Sequence, residues 1–115
     1  FEDGIAQSNY PVDIHGRKLR LEDNKGDRSE DDRLFYEVPY RSLIVKNIDN
    51  LLVAGRCIGA DFVAQSSVRI MPTCRAMGEA CGIAAAMAID NNTKLAEIDG
   101  SKVREHMIKK GAEFA

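Results

Sequence analysis

The stretch from residue 50 to residue 89 constrains the fold of this chain more than any other part. It begins with a short apolar run, Leu51 to Ala54, which is typical of a strand covered on both faces. Gly55 then permits a close backbone approach or an unusual φ at the end of that strand. We expect a polar loop over residues 56–65, a short extended piece over 66–70, and then a long helix rich in Ala and Gly. Cofactor-binding α/β domains often use such a strand, loop and helix, with the helix pointing back at the loop.

The long helix is predicted to span residues 72–90. Pro72 suits its first turn, because the missing N–H of proline costs nothing there, and Asn91-Asn92 suits its end. Small and apolar residues recur along it at intervals of three and four: Gly78, Cys81, Gly82, Ala85 and Ile89. Each glycine inside a helix costs about 1 kcal/mol relative to alanine. The stripe therefore predicts close packing against a sheet or another backbone.

Weaker patterns flank this stretch. Residues 12–15 alternate between apolar and polar side chains, which predicts a short strand. Residues 34–45 are rich in aromatic and β-branched side chains, which predicts a strand interrupted at Pro39. Asp99 suits the N-cap of a last helix over residues 100–110. The fold class is therefore α/β, or α+β for these residues taken alone, with few short strands, a long small-residue helix and a C-terminal helix.

Charge and cysteine usage exclude several classes of function. The chain of 115 residues carries 16 basic and 18 acidic side chains, so it has no field that would favour nucleic acid or a membrane surface. The longest low-charge segment, residues 76–89, is too short to span a bilayer. Three cysteines without a CxxC pair favour free thiols in a reducing cytoplasm. The alternative is a redox thiol, and Cys57 in the polar loop is the main candidate.

Three features converge on one ligand site if the strand, loop and helix form as expected. Gly55 ends the strand, Arg56 and Arg69 supply positive charge, and the helix start at Pro72-Thr73-Cys74 presents free N–H groups and a positive dipole end. This combination suits an anion, or a ring system that gains negative charge during a reaction, such as a flavin. A phosphate or carboxylate ligand fits the same residues.

Three further residues are candidates for the substrate side of such a site. His15 has a reference pKa near neutrality and is suited to proton transfer; the alternative is a surface or structurally bonded histidine. Tyr40-Arg41 follows the break at Pro39, and the arginine fork matches a carboxylate or phosphate. The alternative for Arg41 is a structural salt bridge.

Several linked motifs occur in a fixed order along most of the chain: YPVDIH (10–15), YRSL (40–43), LLVAGR (51–56), SVRIMPTC (67–74) and GEACGIAAA (78–86). This set resembles the C-terminal end of the FAD-dependent oxidoreductase family. It is more distantly similar to the flavoprotein subunits of succinate dehydrogenase and fumarate reductase.

The resemblance implies a role for each part of the chain. Residues 1–45, with the charged loop 17–33, would form the end of a substrate-binding part, and residues 46–115 would form the strand–loop–helix part of a Rossmann-like FAD-binding domain. Gly55 and the helix start Met71-Pro72-Thr73-Cys74 would lie along the flavin, with Arg69 binding or protonating the substrate. Arg56 stands where relatives often carry an acidic residue that contacts the ribityl chain, which is a departure from the family pattern.

The chain contains no GxGxxG motif for the FAD pyrophosphate. We therefore expect it to be the last part of a larger flavoprotein that transfers a hydride or electrons between a small organic substrate and FAD. Its expected partners are a missing N-terminal FAD-binding part, the substrate and, through self-association, a second copy. Alone it should bind FAD weakly and be inactive. The competing hypothesis is a non-catalytic α/β packing or assembly module.

Overall fold

The computed structural model describes residues 1–10 and 35–114. In that part of the chain the elements are two strands and three helices: β1 (Gly4–Ser8), β2 (Tyr36–Pro39), α1 (Phe62–Val68), α2 (Met71–Asn91) and α3 (Gly100–Lys109). Short 3₁₀ turns lie at Tyr40–Leu43, Gly55–Cys57 and Leu95–Glu97. The arrangement is α+β, which confirms the predicted class.

The two strands form an antiparallel sheet that packs on the helices. Ala6 pairs with Val38 and Ser8 with Tyr36, and the register shifts between Gly4 and Ala6. Strand β1 contacts both α2 and α3. Strand β1 packs against β2 and two helices, so its first three residues are buried, and Ile5 and Ala6 share one apolar core with the helices.

Helix α2 was predicted within one residue at each end. Pro72 lies in its first turn, and Asn92 ends it in the left-handed conformation with a φ of 49°. Its buried positions recur at intervals of three and four, as expected for one helical face: Thr73, Met77, Ala80, Ile83, Ala84 and Ala88. This face supplies the centre of the core.

The predicted packing of the glycine stripe was wrong for the part of the chain that the structure describes. Gly78 and Gly82 are exposed, and a Cβ built on either one meets no atom within 4 Å. The side chain of Ile89 on the same stripe is 80% exposed. The helix buries another face because that face carries the larger side chains, such as Met77, which gain more from burial.

The predicted strand at residues 51–54 was also wrong. Only an isolated antiparallel bridge forms there, between Ile44 and Leu52, and the side chain of Leu51 is 45% exposed. A strand covered on both faces needs paired neighbours, and within residues 1–10 and 35–114 the sheet has only β1 and β2. The strand predicted over 34–45 is shorter than expected, because a 3₁₀ turn begins at Tyr40, directly after Pro39.

Helix α3 begins and ends close to its predicted bounds. The Asp99 carboxylate accepts a hydrogen bond from the backbone N–H of Ser101 at 2.9 Å, which confirms the predicted N-cap. Gly100 sits directly against Tyr40 and Asp3: an added Cβ would lie 2.6 Å and 2.7 Å from their Cβ atoms. The helix can approach the sheet this closely only with glycine at that position.

The predicted strand over 12–15, the charged loop 17–33 and His15 lie outside the described residues. The predicted division of the chain after residue 45 stays a prediction.

Candidate functional site

Gly55 follows the apolar run 51–54 and lies near the start of α2. Its φ is 75°, in the left-handed region that favours glycine. A Cβ at Gly55 would lie 3.8 Å from both the Cβ and the Sγ of Cys74. The two residues therefore lie close together, although residues 51–54 do not form the predicted strand.

Arg56 lies next to Gly55 and reaches across to the junction between α1 and α2. Its Nε donates a hydrogen bond to the main-chain oxygen of Arg69 at 3.3 Å. The side-chain amide of Gln65 donates to the main-chain oxygen of Arg56 at 3.3 Å. Arg69 caps the C-terminal end of α1, and its own Nε donates to the main-chain oxygen of Ser66 at 3.2 Å. These hydrogen bonds hold the side chain of Arg56 close to the main chain of Arg69.

A hollow with a volume of about 660 Å³ lies between the two arginines and the start of α2. We call it the arginine hollow, and its lining residues are Tyr10, Arg56, Arg69, Ile70, Met71 and Pro72. The described residues contribute two cations and no acid to this lining. The described lining residues thus give the wall two positive charges, which attract an anion.

The start of α2 adds a dipole to this field. Ile70 is the N-cap, in extended conformation, and its own side chain makes no capping hydrogen bond. The first main-chain bond within the helix runs from the N–H of Cys74 to the oxygen of Ile70. The backbone N–H groups of Met71 and Thr73 belong to the first turn, where a helix of this length carries a partial positive charge.

Thr73 is buried beneath this first turn rather than in the lining of the hollow. Its side chain is 1% exposed, and its hydroxyl has no hydrogen-bond partner within residues 1–10 and 35–114. Cys74 is half-buried, and its Sγ lies 3.8 Å from the main-chain oxygen of Val68. The structure thus brings Gly55, Cys74 and the arginine hollow together.

Arg41 and Tyr40 lie elsewhere. The Arg41 guanidinium forms an ion pair with Asp3 and stacks over the Phe1 ring, 4.8 Å from its centroid. This is the salt-bridge alternative for Arg41. Tyr40 is buried, and its hydroxyl donates to the main-chain oxygen of Leu95 at 2.7 Å. Burial, with a smaller contribution from Cys81, raises the pKa of Tyr40 to about 12.

The cysteines in the described residues are free thiols. Cys57 is exposed, and its Sγ lies 3.0 Å from the main-chain oxygen of Ala54. Burial raises the pKa of the Cys81 thiol, and a negative charge on Cys57 acts in the same direction. In the described part of the chain, no three His, Cys, Asp or Glu side chains come together as a metal site. Its helices also include none that is long and apolar enough to cross a bilayer.

Two residues of the hollow were missed as site residues. Tyr10 reaches it because the Ser67 hydroxyl donates to the main-chain oxygen of Tyr10 at 2.7 Å. Ser67 and Tyr10 are 57 positions apart in the sequence, so no local sequence pattern indicates this contact. Ile70 lines the hollow as the N-cap of α2, and a proline two residues later is the signal that could have placed it there.

Comparison with known proteins gives one family. The model of the family described as FAD dependent oxidoreductase matches residues 1–107. Neither the curated proteins nor the solved structures contain a significant match to the chain. The more distant likeness to succinate dehydrogenase and fumarate reductase is not confirmed by these comparisons.

Proposed function

This chain belongs to the FAD-dependent oxidoreductase family, and we propose that the arginine hollow is the flavin-ring side of an FAD site. The observation that carries the proposal is the start of α2, whose N-cap Ile70 has no capping side chain, beside a hollow whose described lining residues include two arginines and no acid. When bound, FAD supplies the acceptor for a hydride or electron pair taken from a small organic substrate.

The residues present fit the edge of a ring that gains negative charge. The N–H groups of Met71 and Thr73 and the dipole of α2 are fixed before any ligand arrives, so they stabilise such charge without reorganisation. Gly55 directly precedes Arg56 in the wall of the hollow, and a Cβ on it would lie 3.8 Å from Cys74. A phosphate or carboxylate would use the same positive groups, so the flavin assignment rests on the family together with this geometry.

We propose different roles for the two arginines. The Arg69 side chain, tethered through its Nε to the Ser66 carbonyl, binds and orients an anionic or carbonyl group of the substrate. Arg56 positions Arg69 by donating to its main-chain oxygen. His15 and Arg41 remain proposals for the substrate side; the ion pair of Arg41 with Asp3 argues for a structural role instead.

Tight binding of FAD requires a second set of groups for the pyrophosphate. A strand–GxGxxG–helix segment is the usual source of such groups, and this sequence has none. We propose that the chain contributes the ring side and that another segment contributes the pyrophosphate side. The chain purified by itself should then show no flavin absorbance band near 450 nm, and a stoichiometric band would refute this division.

Turnover by an FAD-loaded protein that also contains the segment for the pyrophosphate side tests the role of Arg69. Arg69→Ala should abolish most flavin reduction by the substrate while FAD stays bound, because the variant leaves the α2 start intact. Arg75→Ala is the matched control, since Arg75 is exposed on α2 and lies outside the lining of the arginine hollow. Unchanged turnover in Arg69→Ala would remove this residue from the mechanism.

A second candidate function is a non-catalytic packing module. The exposed stripe of α2 supports it, because a Cβ added at Gly78 or Gly82 would meet no atom within 4 Å in the described part of the chain and Ile89 is 80% exposed. Helices that carry two glycines at such spacing often pack closely on a partner. Sedimentation velocity separates the alternatives: a packing module self-associates at micromolar concentration through this stripe, and Gly82→Leu abolishes the association.

A further inference from the structure

Tyr10 lies in the wall of the arginine hollow, although it is far in the sequence from the other described lining residues. The residue is 37% exposed, so a ligand in the hollow can contact it. The other described lining residues are the two arginines and three apolar residues, Ile70, Met71 and Pro72. Such a wall suits a molecule that has an anionic group for the arginines and an apolar body for the remaining surface.

Both polar groups of the Tyr10 main chain are held by serine hydroxyls. Its N–H donates a hydrogen bond to the Oγ of Ser8 at 3.1 Å, and its main-chain oxygen accepts one from the Oγ of Ser67 at 2.7 Å. Ser8 belongs to β1 and Ser67 to α1, so the two bonds join Tyr10 to two separate elements. Ser67 is 4% exposed, and a hydrogen bond at such a buried group is strengthened by its surroundings.

The bond from Ser67 also relates Tyr10 to the arginines. Ser67 lies in the last turn of α1, and Arg69 is the C-cap of that helix. The main-chain oxygen of Arg69 in turn accepts the bond from Arg56. The aromatic and the cationic parts of the wall are therefore both anchored at the C-terminal end of α1. Removal of the Ser67 hydroxyl should release Tyr10 and leave the bonds of the arginines in place.

We propose that the arginine hollow binds a small organic anion whose apolar body contacts the ring of Tyr10, and that Ser67 is the residue that positions Tyr10 for this contact. The arginines attract the anionic group, and the ring of Tyr10 favours ligands that cover it with apolar surface. In the flavoprotein this molecule is the substrate. That last step rests on the proposed function, whereas the binding itself does not.

Two carboxylates that differ in their apolar body test the binding without flavin. Benzoate carries a ring and acetate a methyl group, and the sodium salts of both are titrated into the isotope-labelled protein while backbone amide shifts are followed. We expect shifts around Arg69 and Met71 for both anions, with benzoate bound roughly two- to tenfold more tightly. Equal affinities, or shifts confined to other parts of the chain, would overturn the proposal.

Tyr10→Ala assigns the preference to the ring. This variant should bind benzoate no more tightly than acetate, and its affinity for acetate should equal that of the native protein. A preserved preference for benzoate would refute the contact with Tyr10.

A double-mutant cycle tests whether Ser67 acts through Tyr10. Ser67→Ala should weaken benzoate severalfold in the native background and have no further effect in Tyr10→Ala. Additive losses would overturn the positioning role. Ser67→Thr keeps the hydroxyl and should keep the preference for benzoate; a folded Ser67→Thr protein without it would contradict the role of the hydroxyl.

Ser66→Ala is the matched control for Ser67→Ala. Ser66 is the neighbouring buried serine of α1, and its hydroxyl donates to the main-chain oxygen of Val63 at 2.7 Å, within the helix. Its removal should leave both affinities unchanged, and a loss as large as that in Ser67→Ala would refute the specific role of Ser67. Because FAD is absent from these titrations, their failure leaves the flavin proposal untouched, and the reverse also holds.

Discussion

The Nε of Arg56 donates a hydrogen bond to the main-chain oxygen of Arg69 at 3.3 Å. The bond links the turn after Gly55 with the junction between α1 and α2, across 13 positions of sequence. One end of it is fixed by the backbone conformation of Gly55 and the other by the C-terminal end of α1. The position of both arginines beside the start of α2 therefore depends on main-chain geometry as well as on their own side chains.

Gly55→Ala should destabilise the protein by about 1–2 kcal/mol, because an L-residue at a φ of 75° is strained. Steric overlap adds little, since the nearest atoms to the new Cβ would be 3.8 Å away. Urea denaturation measures the effect. Gly59→Ala is the control: its φ is not in the left-handed region and its Cβ would meet nothing within 4 Å, so its midpoint should hardly change. Equal midpoints for both variants would contradict the strain at Gly55.

In contrast, replacing the glycines on the exposed stripe of α2 should raise the free energy of unfolding. Gly78→Ala and Gly82→Ala should each stabilise the protein by up to about 1 kcal/mol, because alanine has the higher helix propensity and each site has open space. Thermal unfolding at low protein concentration checks this. Destabilisation by either variant would show that a partner surface covers the stripe in solution.

The lowered pKa of Glu37 predicts that the protein loses stability in acid. Its burial by itself would raise the pKa, but hydrogen bonds from the terminal amine, Gln7 and Arg104 outweigh burial and lower the pKa to about 2. A carboxyl whose pKa in the folded state lies below its unfolded value of about 4.5 stabilises the fold at pH values above 4.5. The stabilisation should therefore disappear between pH 4.5 and pH 2.

Glu37→Gln tests this assignment. At pH 7 the substitution should lower the free energy of unfolding by about 1–3 kcal/mol, because Arg104, whose side chain is 21% exposed, loses its charged partner. Urea midpoints collected from pH 7 to pH 2 should decline less steeply in the variant than in the native protein. Parallel declines would mean that other carboxyls cause the acid sensitivity.

The sequence alone predicted the parts that depend on local patterns. Helix α2 follows from Pro72, from apolar residues at intervals of three and four, and from Asn91-Asn92 at its end. The N-cap at Asp99 and the proximity of Gly55 to the helix start were likewise predictable. Each of these depends on a few neighbouring residues whose conformational preferences agree with the final fold.

The remaining features depend on contacts between distant residues. Helix α1, predicted as loop and extended chain, has the sequence FVAQSSV, which is poor in strong helix formers, and its N-cap Asp61 was overlooked. Arg41 pairs with Asp3, 38 positions away, and Tyr10 is held by Ser67. No spacing rule connects such pairs, so the lining of the arginine hollow required the structure.

The redox potential of bound FAD tests the central claim most directly. If Arg69 and the start of α2 stabilise negative charge on the flavin ring, Arg69→Ala should lower the two-electron midpoint potential of FAD bound to a protein that also contains the segment for the pyrophosphate side. The expected shift is on the order of 10–30 mV, since about 30 mV corresponds to 1.4 kcal/mol for such a couple. Arg75→Ala should leave the potential unchanged. An identical potential in native protein and Arg69→Ala, with FAD bound in both, would contradict the placement of the flavin ring at the arginine hollow.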